Sequence, residues 1–79
     1  MSKQEILLAK SAFKHGVRTE DISYCMNYAR RIHVLQEDPT KWLYLGFNKA
    51  GIPLEVISII QENGSELVIH AMKQTKKYN

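Results

Sequence analysis

Hydrophobic and polar residues recur with a helical period over the first part of the chain. Ser2 followed three residues later by Glu5 is the pattern of a capping box at the start of a helix. The apolar positions that follow fall on one helical face: Ile6, Ala9, Ala12 and Phe13. Gly16, which comes after Lys14 and His15, is a typical stop at the C-terminal end of a helix. The pattern therefore predicts a first helix that ends near Gly16.

A second helix is predicted directly after this stop. Thr19 is the expected N-cap, and the acidic residues Glu20 and Asp21 then lie beside the positive end of the helix dipole. The apolar residues of this segment predict the face that it buries: Ile22, Cys25, Met26 and Ala29.

From residue 31 onward the pattern changes to that of strands. Four apolar or β-prone segments, 32–36, 42–48, 54–61 and 66–73, are separated by turn sequences at Asp38-Pro39, Ala50-Gly51 and Asn63-Gly64. The predicted fold is a single α+β domain over residues 1–79, with two N-terminal helices followed by an antiparallel meander of three to four strands. Residues 74–79 are expected to form a basic C-terminal tail.

The turns also predict which strand residues face one another. A two-residue turn at Asn63-Gly64 places Ile57 opposite His70 and Glu55 opposite Met72. A two-residue turn at Ala50-Gly51 places Tyr44 opposite Ile57. One face of the sheet then packs on the helices. The other is expected to combine one acid and one imidazole with large apolar groups: Trp42, Tyr44, Gly46, Glu55, Ile57, Ile59, Val68, His70 and Met72. Such a surface is seldom bare unless it binds something.

Composition narrows the class of protein. The chain is 44% hydrophobic and 24% charged, values typical of a globular domain. Its 79 residues are enough for one small domain but too few for a multidomain enzyme. The formal net charge of +3 is compatible with phosphate-bearing or acidic partners. A lone cysteine cannot form an internal disulfide, which favours a reducing cytoplasm. No apolar segment is long enough to cross a membrane, so no membrane partner is expected.

The predicted pair of Glu55 and His70 is the first candidate for chemistry. The two lie diagonally on one face, and a carboxylate beside an imidazole suits general acid–base catalysis near neutral pH. The alternative is a buried pair with a purely structural role. The second candidate is the basic end of the chain, where Lys73, Lys76 and Lys77 could bind phosphates while Tyr78 stacks on a base. A solvated lysine tail explains the same residues.

Metal and nucleotide cofactors are not expected. Cys25 and the three histidines, His15, His33 and His70, show none of the close ligand pairs typical of zinc sites. The glycines are isolated and form no phosphate-binding loop. Cys25 is predicted to be a core residue because it falls on the buried face of the second helix.

Three segments resemble BrnT-type toxins and their small relatives. The first is Lys14-His15-Gly16-Val17-Arg18-Thr19-Glu20-Asp21-Ile22, which is similar to their KHGV-x-x-E-[DE] signature. The second runs from Tyr44 to Phe47 and on from Gly51 to Ile57, and it looks like their central hairpin. The third runs from Val68 to Lys73, with Lys77-Tyr78 after it, and it is similar to their last strand and basic ending. Together these segments cover most of the chain in the same order.

The resemblance implies a RelE-like fold and an endoribonuclease that acts on free or ribosome-bound RNA and is neutralised by an antitoxin. Carried over to this chain, His70, Lys73, Lys77 and Tyr78 would belong to the RNA site, and Lys14 and His15 would add to it or orient it.

The working hypothesis is therefore a metal-independent ribonuclease of a toxin–antitoxin pair. Glu55 or His70 is the expected base or acid, the lysines at positions 73, 76 and 77 stabilise charge on the phosphate, and Tyr78 stacks. Tyr44, on the same predicted face, is a further expected RNA contact. The rival hypothesis is a non-catalytic module in which the apolar face binds a second copy or another protein. A third is a toxin-like domain that binds nucleic acid without cutting it.

Overall fold

The computed structural model describes residues 5–75, which form a mixed five-stranded sheet with one α-helix packed on it. In chain order the elements are β1 (Ile6–Leu8), a short 3-10 helix (Lys10–Phe13), α1 (Thr19–Asn27), β2 (Arg31–Glu37), β3 (Thr40–Phe47), β4 (Pro53–Ile60) and β5 (Glu66–Lys73). The strand order in the sheet is β1-β5-β4-β3-β2. No helix within residues 5–75 has both the length and the apolar character needed to cross a bilayer.

The predicted fold class is wrong, because the first predicted helix is not formed. The segment with the helical pattern instead gives β1, which runs parallel to β5, and then the short 3-10 helix. The Glu66 amide donates to the Glu5 carbonyl at 2.8 Å, and the Ala9 amide donates to the Val68 carbonyl at 2.9 Å. An isolated helix of this length is marginal in water, whereas the open edge of β5 offers backbone partners to an extended chain. Ser2, the expected cap, lies outside the described residues.

The second predicted helix exists as α1. It begins at Thr19, and the residue in the capping position is Arg18, which makes no capping hydrogen bond with its side chain. The expectation that Thr19 is the cap is therefore wrong by one residue. Ile22 and Cys25 are buried, as predicted.

The strands from β2 to β5 form antiparallel neighbours, each within two residues of its predicted segment. The predicted meander of three to four strands is thus one part of a larger sheet, whose fifth strand, β1, is parallel. All seven residues of β2, the strand at the opposite edge, are exposed.

The core lies between α1 and one side of the sheet, which we call the helix side. It contains the buried residues Ala12, Val17, Ile22, Cys25, Tyr44, Leu54, Val56, Val68 and Ala71. At Gly46 the helix approaches β3 closely, because a Cβ placed there would lie 3.2 Å from the Cys25 carbonyl oxygen and 3.3 Å from Ala29 Cα. Gly46 thus permits this spacing between helix and sheet.

The β3–β4 and β4–β5 hairpins both close with three-residue loops, so the two-residue turns predicted there are wrong. The Asn48 amide donates to the Ile52 carbonyl at 3.0 Å, and the Gln61 amide donates to the Ser65 carbonyl at 2.9 Å. The last loop residue is a glycine with positive φ in each case, +83° at Gly51 and +86° at Gly64. This geometry, a turn completed by a left-handed residue, is a common alternative to the two-residue turn.

The extra loop residue shifts β3 by one position against β4. Tyr44 is opposite Val56, not opposite Ile57 as predicted, and Leu45 is opposite Glu55. Because side chains alternate between the faces of a strand, Tyr44 and Glu55 point to different sides of the sheet. The single face expected to carry Trp42, Tyr44, Glu55, Ile57, His70 and Met72 is therefore divided between the helix side and the opposite side, which we call the open side.

A bulge in β5 restores the predicted pairing around His70. Ser58 is opposite Val68 and Ile57 is opposite His70, so Ile69 is an extra residue in β5. Val68 lies in the core, and without the extra residue His70 would point to the same side. The bulge instead sends His70 to the open side. The carbonyl of Ile69 accepts a hydrogen bond of 2.6 Å from Ser11 Oγ, which fixes the bulge to the chain that follows β1.

Candidate active site

The centre of the candidate site is a hydrogen-bonded pair on the open side of the sheet. His70 Nε2 lies 2.8 Å from Glu55 Oε2. The Glu55 side chain is 11% exposed and the His70 side chain 26% exposed, so the acid is largely buried and the imidazole is accessible. The sequence predicted that these two residues share a face, and this prediction is confirmed.

The pair also fixes the chemistry of the imidazole. A carboxylate can only accept, so His70 Nε2–H donates to Glu55 and the lone pair lies on Nδ1 in the neutral ring. A base that is held in one tautomer by a buried acid is the arrangement used to activate hydroxyl groups. Glu55 is therefore suited to orient His70, and His70 to exchange the proton.

A second imidazole contacts the first. The ring centroids of His15 and His70 are 5.5 Å apart, and the rings meet edge to face at 72°. His15 lies in the short connection between Ala12 and Val17, both of which are core residues. Gly16, with a φ of +76°, permits the tight turn that ends the 3-10 helix beside His15. The core anchors on both sides of His15 thus hold its ring against β5.

The other predicted site residues are distributed around this centre. Lys14 precedes His15 and is exposed. Lys73 is opposite Leu54, a core residue, so its side chain leaves β5 on the helix side, away from His70. Tyr44 also faces the helix side. Lys76, Lys77 and Tyr78 lie outside the described residues, as does most of the predicted tail.

The two faces of the sheet therefore separate the predicted residues into two groups. Those that the described structure brings together are Glu55, His70 and His15. The resemblance implied that His15 adds to or orients the site that contains His70, but the contact between the two rings was not predicted, because nothing in the local pattern of residues places the end of the 3-10 helix beside β5.

A buried polar cluster on the helix side was not predicted. Tyr44 Oη and Ser58 Oγ both donate to Glu66 Oε2, and the Glu66 residue is 5% exposed. Glu66 follows the Asn63-Gly64 turn, and a carboxylate at such a position normally faces solvent. The shift of β3 and the loop geometry after Gln61 turn it inward, where two hydroxyl donors satisfy it.

The position of Tyr44 in this cluster predicts that part of the protein's stability is lost at alkaline pH. Burial, followed by the hydrogen bond and the negative charge of Glu66, raises the pKa of Tyr44 well above its ordinary value. A raised pKa in the folded state means that the native protein holds this proton while the unfolded chain releases it. The stabilising contribution is thus complete below about pH 10 and is lost as the pH rises beyond it.

We expect the Tyr44→Phe variant to show a shallower fall in the free energy of unfolding above about pH 10 than the unsubstituted protein. Urea unfolding at a series of alkaline pH values measures this slope, and phenolate absorbance reports whether Tyr44 ionises only on unfolding. Tyr24→Phe is a matched control, since Tyr24 is outside the cluster. Equal slopes for the unsubstituted protein and Tyr44→Phe would contradict the assignment.

Cys25 is buried with 0% exposure, as predicted. Burial raises the pKa of its thiol to about 11, an effect only partly offset by a backbone hydrogen bond from Gly46. This thiol therefore belongs to the core and is not a nucleophile. Within residues 5–75, no three histidine, cysteine or acidic side chains are placed to share a metal ion.

Comparisons with protein-family models, with curated proteins and with solved structures find no match for this chain. The arrangement of Glu55, His70 and His15 is therefore the basis on which a function can be proposed.

Proposed function

We propose that the protein is an endoribonuclease that cleaves RNA by acid–base catalysis, the toxin of a toxin–antitoxin pair. The observation that carries the proposal is the 2.8 Å hydrogen bond between Glu55 and His70 together with the ring contact of His15 on His70. Two imidazoles side by side, one of them oriented by a buried carboxylate, supply both a base and an acid at one place.

The reaction that fits these groups is transesterification within RNA. His70 accepts the proton of a ribose 2′-hydroxyl through Nδ1, and the 2′-oxygen attacks the adjacent phosphorus. Protonated His15 donates its proton to the departing 5′-oxygen, so the bond from phosphorus to that oxygen breaks as the new one forms. The products are a 2′,3′-cyclic phosphate and a 5′-hydroxyl. Base and acid are both side chains, so the reaction is independent of a metal ion.

The sequence supports the same class of activity. The segment that contains Lys14 and His15 resembles the signature of BrnT-type toxins, and His70 lies in the segment that is similar to their last strand. The net charge of +3 favours a polyanionic substrate. Lys76 and Lys77 remain the proposed cations for RNA binding, with Tyr78 as the proposed stacking residue, whereas Lys73 leaves the sheet on the helix side and is no longer assigned to the site.

The proposal also implies a protein partner, the antitoxin. The exposed edge strand β2 supports a site for it, because Ile32, Val34 and Leu35 are 47–56% exposed there. An extended segment of a partner could add to this edge as a further strand. Expression of the chain in bacteria should slow growth, and co-expression of a small neighbouring gene that encodes the partner should relieve the effect.

The test of the proposed function is cleavage of single-stranded RNA by the purified protein, with analysis of the product ends. We expect 2′,3′-cyclic phosphates from the unsubstituted protein, with or without a chelator. The double variant His15→Ala/His70→Ala should lower the cleavage rate by at least about 10²–10⁴-fold. His33→Ala is the control for a histidine-to-alanine change, because His33 is an exposed histidine on β2, three strands from His70 across the sheet.

Two outcomes would overturn the proposal. One is RNA degradation that the double variant and the His33→Ala control share with the unsubstituted protein, since it would come from a contaminant or from other residues. The other is salt-dependent RNA binding without cleavage, which would favour the third hypothesis, a nucleic-acid-binding domain of the same structure.

A further inference from the structure

A cavity of about 490 Å³ lies where the ends of β3 and β5 meet the starts of β2 and β4. Its walls come from the start of β2, the end of β3, the start of β4 and the residue that follows β5: Arg30, Arg31, Leu45, Gly46, Phe47, Pro53 and Gln74. The volume falls within the usual range of small-molecule sites, which is roughly 300–1,000 Å³. It could hold one nucleotide.

The register of the sheet places this cavity next to Glu55. Arg31 is opposite Leu45 on β3, and Leu45 is opposite Glu55 on β4. Neighbouring strands are about 4.8 Å apart, so the cavity wall at Leu45 is one strand from Glu55 and Arg31 is two strands away. Leu45 and Glu55 are opposite each other and so share the open side, which places the cavity wall at Leu45 two strands from His70.

The chemistry of the walls is that of a nucleotide site. Arg30 holds its guanidinium over the Phe47 ring, with 5.9 Å between Cζ and the ring centroid. A guanidinium plane supported in this way is partly ordered before a ligand arrives, and it presents paired donors to a phosphate. Arginine planes and aromatic rings are also the surfaces on which unpaired bases stack. Arg31 adds a second positive charge to the same wall.

We propose that this cavity is the subsite for one nucleotide of single-stranded RNA, adjacent to the nucleotide whose phosphodiester is cleaved at His70. Arg30 and Arg31 bind its phosphate, and the Arg30–Phe47 platform takes its base. The inference rests on the proposed function for the position of the cleaved bond, but nucleotide binding in the cavity does not depend on cleavage.

Binding is tested with a fluorescent single-stranded oligonucleotide of 2′-O-methyl RNA, which lacks the attacking hydroxyl. Anisotropy titrations at several salt concentrations compare the unsubstituted protein with Arg30→Gln and Phe47→Leu. We expect each variant to raise the Kd about tenfold, and Arg30→Gln also to lower the slope of log Kd against log salt by about one. Lys49→Gln is the control, because it removes the same charge from an exposed residue of the nearby loop.

Cleavage assays with the same variants distinguish this inference from the proposed function. We expect Arg30→Gln to raise KM and leave kcat unchanged, since the subsite holds the substrate before and during the reaction alike. If Arg30→Gln and Lys49→Gln weaken binding equally, the subsite is wrong and only general charge is at work. If the unsubstituted protein does not cleave RNA but binds the oligonucleotide in an Arg30-dependent way, the subsite stands and the ribonuclease proposal fails.

Discussion

Under the proposed ribonuclease function, replacing Glu55 by glutamine is expected to lower kcat for RNA cleavage by about 10²–10⁴-fold, with little change in KM. The amide has the same shape as the acid but can donate a proton, so it can hold His70 in the opposite tautomer. In that tautomer Nδ1 carries the hydrogen and cannot accept one from a ribose hydroxyl. The loss also removes the negative charge that stabilises the imidazolium formed when His70 takes the proton.

The measurement is steady-state cleavage of a short RNA, with Glu37→Gln as the control because it makes the same change on the exposed strand β2. A double-mutant cycle separates positioning from general stability. If Glu55 acts through His70, Glu55→Gln should have little further effect in the His70→Ala background, because the two groups work as one unit. Additive losses in the cycle would show that Glu55 acts by another route. If Glu55→Gln has the same kcat as the unsubstituted protein, the assigned role of the Glu55–His70 pair is wrong.

The pairing of Glu55 with His70 follows from the sequence pattern, but only because the structure departs from the predicted β4–β5 hairpin in two ways that cancel each other. The loop after Gln61 has three residues where two were expected, which moves β5 by one position against β4. The bulge at Ile69 moves it back before His70 is reached. A bulge leaves no signal in a run of apolar residues such as Leu67 to Ile69, so the correct outcome did not come from a correct turn.

The same error in the predicted turn has no compensation in the β3–β4 hairpin. The loop at Lys49, Ala50 and Gly51 also has three residues, and the β3–β4 register continues without a bulge. Tyr44 therefore lies on the helix side and contributes to the core instead of to the site. A glycine after Ala50 or Asn63 fits either loop length, because this position has positive φ in a type I′ turn and also in a three-residue loop that ends in a left-handed residue. Local residue preferences do not distinguish them.

The error at the N-terminus has a different cause. The helical period over Ile6, Ala9 and Phe13 is real, but the final structure depends on a partner that is about 60 residues away in the chain, since Leu7 is opposite Leu67. Parallel pairing between distant segments has no local sequence signature. In contrast, α1 has acidic residues in its first turn and a clear buried face, and it forms where it was expected.

Replacing Gly46 by valine will destabilise the protein by about 1–3 kcal/mol. A Cβ at this position would lie 3.2 Å from both the carbonyl oxygen and Sγ of Cys25, and 3.3 Å from Ala29 Cα. Two of these three neighbours are backbone atoms, one in α1 and one two residues after its end, so they can yield only if this part of the chain moves away from β3. Alanine adds one carbon and also reduces the entropy of the unfolded chain, an effect of about 0.4–1 kcal/mol in the opposite direction. The free energy of unfolding of Gly46→Ala, measured by urea unfolding, should therefore lie between those of the unsubstituted protein and Gly46→Val.

The single thiol of the chain gives an independent measure of the same effect. Cys25 has no exposed surface and a pKa of about 11, so a thiol reagent can reach it as a reactive thiolate only when α1 separates from the sheet. Labelling should then follow the open fraction, and a loss of 1–3 kcal/mol corresponds to labelling that is about 5–150-fold faster in Gly46→Val. Gly51→Val is a useful comparison, because it strains a loop at a positive φ of +83° with no atom within 4 Å of the new Cβ. If Gly46→Val has the same free energy of unfolding in urea and the same rate of thiol labelling as the unsubstituted protein, the close approach of helix and sheet at Gly46 does not limit stability.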